Sequence, residues 1–136
     1  MKMSSKLFAC LHMMLCGCHG GEEKSGALIQ ANELHLESMA IQENLQKELV
    51  VLKSKAVEEN DTIVMAKTDS LLVLMKLWED GVSEVPGFEH THHDGHHAQK
   101  HAPRMTDESM LEYQRSAKKA IEEMAKEVDK IKVVSN

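Results

Sequence analysis

The sequence predicts an all-α fold: an antiparallel three-helix bundle, with a long helical hairpin as the alternative. Three observations lead there. Residues 27–59 contain neither Gly nor Pro, and the apolar residues along the body recur at three- and four-residue steps, the period of a helix face. Only four of the 136 residues are aromatic, and Leu, Met, Ala, Glu and Lys are abundant, a composition that suits helices and not a sheet sandwich. The length supplies one domain at most. A net charge of −6, with no Lys/Arg cluster beyond a pair, gives no footprint for nucleic acid.

Residues 1–17 read as a signal peptide and not as part of the fold. Lys2 and Lys6 precede a short apolar run from Leu7 to Leu15, interrupted by His12, and Leu15-Cys16-Gly17-Cys18 closes it with small residues before a Cys. The run falls short of the roughly 20 apolar residues of a membrane-spanning helix. It resembles a bacterial lipoprotein signal, from which it departs at Cys16 and His12. The resemblance implies cleavage before Cys18, lipidation of Cys18 and anchoring to the cell envelope, most naturally the outer membrane. The mature chain would keep one Cys, the acylated one, so its body could hold no disulfide. Losing Lys2 and Lys6 leaves 14 basic against 22 acidic side chains, a net −8. Residues 18–25, the lipidated Cys with Gly20, Gly21, Glu22 and Glu23 behind it, have the composition of a flexible tether. A short acidic stretch at that place resembles the surface-export signal of Bacteroidota lipoproteins.

The helical domain then covers 26–136. Ser25 can cap a first helix in which Leu34, Ile41, Leu45, Leu49, Leu52 and Ala56 share a face, and Val50, Val51 and Val57 widen it. His35 reads as a bundle residue in preference to a ligand. At Glu58-Glu59-Asn60-Asp61 the pattern lapses. A turn there, with Asn60 or Asp61 capping a second helix from Thr62 to Asp80, is favoured over one continuous helix. Within 71–78 only Lys76 is polar, so this stretch asks for burial on most sides, and Gly81 suits the residue after the helix end. Thr106 caps the third helix and Asp107 and Glu108 complement its dipole. Met110, Ala117, Ile121, Met124, Val128 and Ile131 form its stripe, with Glu122 and Lys126 as an i,i+4 pair. Trp78, Phe88 and Tyr113 are expected to meet at one end of the bundle, with Phe88 pinning the base of the loop before the last helix. The six Met beyond Cys18 (39, 65, 75, 105, 110 and 124) sit at core spacing and lack the clustering of a Cu(I) site.

That loop, residues 81–105, carries the only chemistry the sequence names. Six of the nine His fall between His90 and His101: His90, His92, His93, His96, His97 and His101, with Asp94 and Glu89 among them. Neutral imidazole binds Zn, Ni and Cu(II), and four imidazoles, or three with a carboxylate, satisfy tetrahedral zinc. Gly95 allows a reversal between the two His pairs. No spacing fixes one geometry, so several isomeric sites of moderate affinity are expected in place of a tightly held cofactor. A solvated linker and a pH-responsive loop are the other readings of the same residues. HExxH, a phosphate-cradling Gly-rich loop and Gly-x-Ser-x-Gly are all missing, so an enzyme is not expected.

The lipobox, His35-Leu36-Glu37-Ser38-Met39, Leu77-Trp78, Val85-Pro86-Gly87-Phe88-Glu89 before the His-rich stretch, and Thr106-Asp107-Glu108-Ser109-Met110-Leu111 together resemble small helical Bacteroidota lipoproteins. Some of these carry the label "viral A-type inclusion protein", and the family has no settled activity. Two functions follow as expectations. One is an envelope lipoprotein that binds or buffers divalent transition metal through the His-rich loop. The other is a structural or interaction lipoprotein whose bundle meets an envelope partner, or a second copy as a homodimer, the loop being incidental.

Overall fold

The computed structural model describes residues 24–88 and 104–134. They form three helices, α1 (Gly26–Glu58), α2 (Thr62–Gly81) and α3 (Asp107–Val134), each packed on the other two, with no strand among the described residues. This is the three-helix bundle expected. The signal peptide, Cys18 and the tether as far as Glu23 lie outside the described residues.

The caps explain where each helix begins and ends. Ser25 accepts from the Leu28 N–H at 3.2 Å and opens α1. At the other end Asn60 takes a left-handed conformation (φ 56), and the Asn60 and Asp61 amides donate back to Val57 and Ala56 carbonyls at 3.3 and 2.9 Å. Those two bonds are the Schellman closure, for which Asn is one of the few suitable non-Gly residues. Asp61 then caps α2, its Oδ1 accepting from the Ile63 and Val64 amides at 3.0 Å each. The two candidate caps thus divide the work, and the turn favoured over a continuous helix is present. Thr106 Oγ1 accepts from the Ser109 amide at 3.2 Å at the start of α3.

Gly81 departs from expectation. It is the last residue of α2, and Val82 leaves in extended conformation (φ −69, ψ 136), so no left-handed glycine is needed there.

Pairing sets the directions. Gln30 meets Arg115 at 3.3 Å, Glu37 meets Lys118 at 2.5 Å and Glu48 meets Lys132 at 2.6 Å, so α1 and α3 run parallel. Lys53 meets Asp69 at 2.7 Å and Trp78 Nε1 donates to the Ala117 carbonyl at 2.8 Å, which runs α2 against both. Elsewhere on α3 Lys126 pairs with Glu123 at 2.7 Å, while Glu122 lies 3.7 Å from Lys118. The closest partner of Lys126 is thus Glu123 and not the expected Glu122, whose charge still acts on Lys126, and such pairs are of small worth.

The core has two parts. An upper cluster unites Leu45, Leu49, Leu52 and Ala56 of α1 with Val64, Leu71 and Met75 of α2 and Ile121, Val128 and Ile131 of α3. A lower cluster gathers Ala31, Val85, Met110 and Leu111, with Ala27, Leu28, Leu34, Phe88, Met105 and Tyr113 packed around them. All six Met are buried or half-buried, as packing requires. Two apolar expectations fail. Val50, Val51 and Val57 are 55%, 67% and 51% exposed, because they lie on the side of α1 turned away from the other helices. Within 71–78, Leu71 and Met75 are buried but Val73, Leu74 and Leu77 are exposed, since two neighbouring helices cover only one side of α2.

Candidate functional site

The segment that holds the clustered His leaves the body at Phe88 and rejoins it at Met105, and both junctions pack against the lower cluster. Ser83 and Val85 turn inward and are buried. Val85-Pro86-Gly87-Phe88 then closes a turn, the Phe88 amide donating to the Val85 carbonyl at 3.1 Å with Gly87 at φ 78. Pro at the second position and a positive-φ Gly at the third define a type II turn. Phe88 is half-buried in the lower cluster together with Met105 from the returning strand of chain. The Lys24 ammonium sits 3.7 Å from the centroid of the Phe88 ring and donates to the Gly87 carbonyl. The residue before the α1 cap therefore clasps the base of the segment.

Tyr113 and Gln114 fasten the exit from α2 to α3. The Tyr113 hydroxyl donates to the Gly81 carbonyl at 2.6 Å and accepts from the Ser83 amide at 3.1 Å. Gln114, fully buried, donates through Nε2 to the Ser83 carbonyl at 2.7 Å and approaches Met110 Sδ at 3.7 Å. Its Oε1 is buried with no hydrogen-bond partner among the described residues. Of the three aromatics, Phe88 and Tyr113 share the lower cluster as expected. Trp78 instead packs against the upper one, where its indole N–H finds the Ala117 carbonyl.

Between the clusters the interior is polar. Asn32, His35, Ser38 and Gln42 of α1 are buried, His35 at 2% exposure and Ser38 at 0%. Ser38 donates to the Leu34 carbonyl at 2.7 Å, and Gln42 reaches Gln46 Oε1 at 3.3 Å. The apolar stripe read from the sequence put Leu34 and Ile41 on the buried face; both are half-buried, and the polar side chains occupy its centre. A signal for this existed. The stripe jumps seven residues from Leu34 to Ile41 and again from Met110 to Ala117, and the position four residues into each gap is Ser38 or Gln114. Where a helical stripe skips a turn, the residue at the skipped step is the one the core receives.

The proposed metal ligands His90, His92, His93, His96, His97 and His101, with Asp94 and Glu89, lie outside the described residues, as does Cys18. Among the described residues no three His, Cys, Asp or Glu side chains come together as a metal site. His35 is in the interior, the place of a bundle residue. No helix among the described residues is long and apolar enough to cross a membrane. Comparison with known proteins finds no matching family model, no similar curated protein and no similar solved structure.

Proposed function

We propose that this chain is a lipid-anchored envelope protein of the small helical Bacteroidota lipoprotein type, which binds or buffers zinc, nickel or Cu(II) through His90, His92, His93, His96, His97 and His101, with Asp94 as an auxiliary ligand. The observation that carries the reading is six imidazoles within twelve residues, between two junctions, Phe88 and Met105, packed in one cluster. Junctions held in one cluster shorten the loop that a metal must close and lower its entropic cost. Neutral imidazole is the binding form, so uptake competes with protons and weakens as pH falls through about 6.

The same end supports a membrane-proximal position. Lys24, which clasps Phe88, is six residues from Cys18, a span of about 20 Å when fully extended. Acyl chains on Cys18 would hold Phe88, at the base of the His-rich segment, within that reach of the lipid, while the −8 body is repelled by anionic headgroups. The role is sequestration and not catalysis: catalytic zinc needs an open position on a rigid, oriented shell.

Calorimetric titration of the full chain, with Cys10, Cys16 and Cys18 replaced by Ser, tests the reading. Zinc, nickel and Cu(II) are each added at pH 7.5. Binding at about micromolar Kd or tighter, lost when the six His are replaced by Asn, is expected. Heat of dilution alone for all three metals would refute it.

A further inference from the structure

Beyond metal binding, we propose that the chain forms a symmetric homodimer through the outer face of α2, two copies pairing antiparallel. The helix carries two stripes. Val64, Thr68, Leu71 and Met75 face the bundle. On the opposite side Ile63, Ala66, Ser70, Val73 and Leu77 recur at steps of three, four, three and four, the a/d spacing of a helix seam. Ile63, Val73 and Leu77 are 68%, 61% and 62% exposed, and Leu74 beside them is 51% exposed.

The order of side chains selects a second copy in antiparallel register. Set Ser70 opposite the partner's Val73, and Ala66 falls opposite the partner's Leu77; the two-fold axis repeats both pairs. Small then meets large at every central layer, as close packing of two helices requires. A parallel pair would put Ser70 on Ser70 and Ala66 on Ala66, leaving the centre thin. The flanks agree. Asp69 and Lys76 lie on the same edge of the stripe, 54% and 73% exposed; each has a partner in its own chain, Lys53 at 2.7 Å and Asp80 at 3.6 Å, and the two-fold also sets each Asp69 beside the partner's Lys76. On the other edge Lys67 lays its methylenes over the partner's Leu74. The rival outer face, on α1, is less continuous. Between Leu36 and Val50 it is crossed by the Glu43–Lys47 pair at 2.6 Å.

The area suits a weak pair. In this register Ile63 falls opposite the partner's Asp80, so Val73, Leu74 and Leu77 carry the apolar contact, about 300 Å² per copy, and the flanking residues raise this to about 500 Å². Two copies bury about 1,000 Å², the size of a transient interface.

Sedimentation of the full chain with all three Cys replaced by Ser, in EDTA so that metal cannot bridge histidines, tests the proposal. A monomer–dimer equilibrium at about 1–100 µM is expected, weakened at least about tenfold by Leu77→Lys. Lys76→Glu should weaken it as well. All these positions are exposed, so circular dichroism should report unchanged helix content. A monomer throughout that range, or association indifferent to Leu77→Lys or to Lys76→Glu, would each overturn it.

Discussion

Tyr113→Phe isolates the fastening that brings the chain out of α2 toward the His-rich segment. The substitution keeps the ring in the lower cluster and removes only the hydroxyl, which donates to the Gly81 carbonyl at 2.6 Å and accepts from the Ser83 amide at 3.1 Å. The two losses are unequal. Gly81 is exposed and its carbonyl can turn to water, whereas Ser83 is 6% exposed and its amide would lose a partner it cannot readily replace. An unsatisfied buried donor costs about 1–3 kcal/mol, so the variant should lose about 2 kcal/mol. For a bundle of this size that is a fall in Tm of about 10 °C. Urea denaturation followed by circular dichroism reads the magnitude, with an unchanged m-value showing that the same surface is exposed on unfolding. Amide exchange reads the place: Ser83 N–H should exchange much faster while Leu49 N–H follows global stability alone. A loss under about 0.5 kcal/mol with Ser83 protection intact would refute the assignment of that amide to the phenol.

Other substitutions probe separate parts of the account. Leu49→Ala, at a site 2% exposed in the upper cluster, should cost about 3 kcal/mol by the same denaturation assay. Asp61→Ala removes the acceptor of two amides and should cost about 1 kcal/mol, whereas Asp61→Asn should cost much less. Phe88→Ala should speed proteolysis between Phe88 and Arg104 and leave helix content unchanged; a large fall in ellipticity would show that Phe88 supports the bundle itself. The Glu43 and Glu123 carboxyls are held below the usual range by hydrogen bonds from Lys47 and Lys126. Their contribution is therefore present above about pH 4.3 and lost as pH falls through their lowered values, a small effect at exposed sites. Acid titration at low and high salt should reveal it as a salt-sensitive part of the midpoint.

The parts of the fold that follow from local chemistry were legible in the sequence, and those that follow from geometry between helices were not. Ser25, Asp61 and Thr106 are capping residues beside apolar periodicity, and each caps a helix. Asn60 could have capped α2 or ended α1, and only the left-handed backbone decides. The polar interior was hidden because Ser38 and Gln114 look like surface residues until the seven-residue gaps around them are seen as core positions. Val73 and Leu77 show the reverse error: hydrophobicity signals a need for cover, and two neighbouring helices can cover one side of α2 only. For the His-rich segment, composition points to metal ligation, but six His with no fixed spacing define no single coordination geometry. What the fold adds is the pair of junctions, Phe88 and Met105, and the Lys24 clasp at the same end.

X-ray absorption at the zinc edge on the full chain loaded with one equivalent of zinc at pH 7.5 addresses the metal reading most directly. Ligation by the His-rich segment predicts nearest neighbours at about 2.0–2.1 Å with the outer-shell scattering of at least two imidazole rings. The spectrum should revert toward the hydrated ion at about pH 5, where the rings are protonated. A shell of oxygen without imidazole scattering, or the same spectrum after all six His are replaced by Asn, would contradict metal binding by this segment.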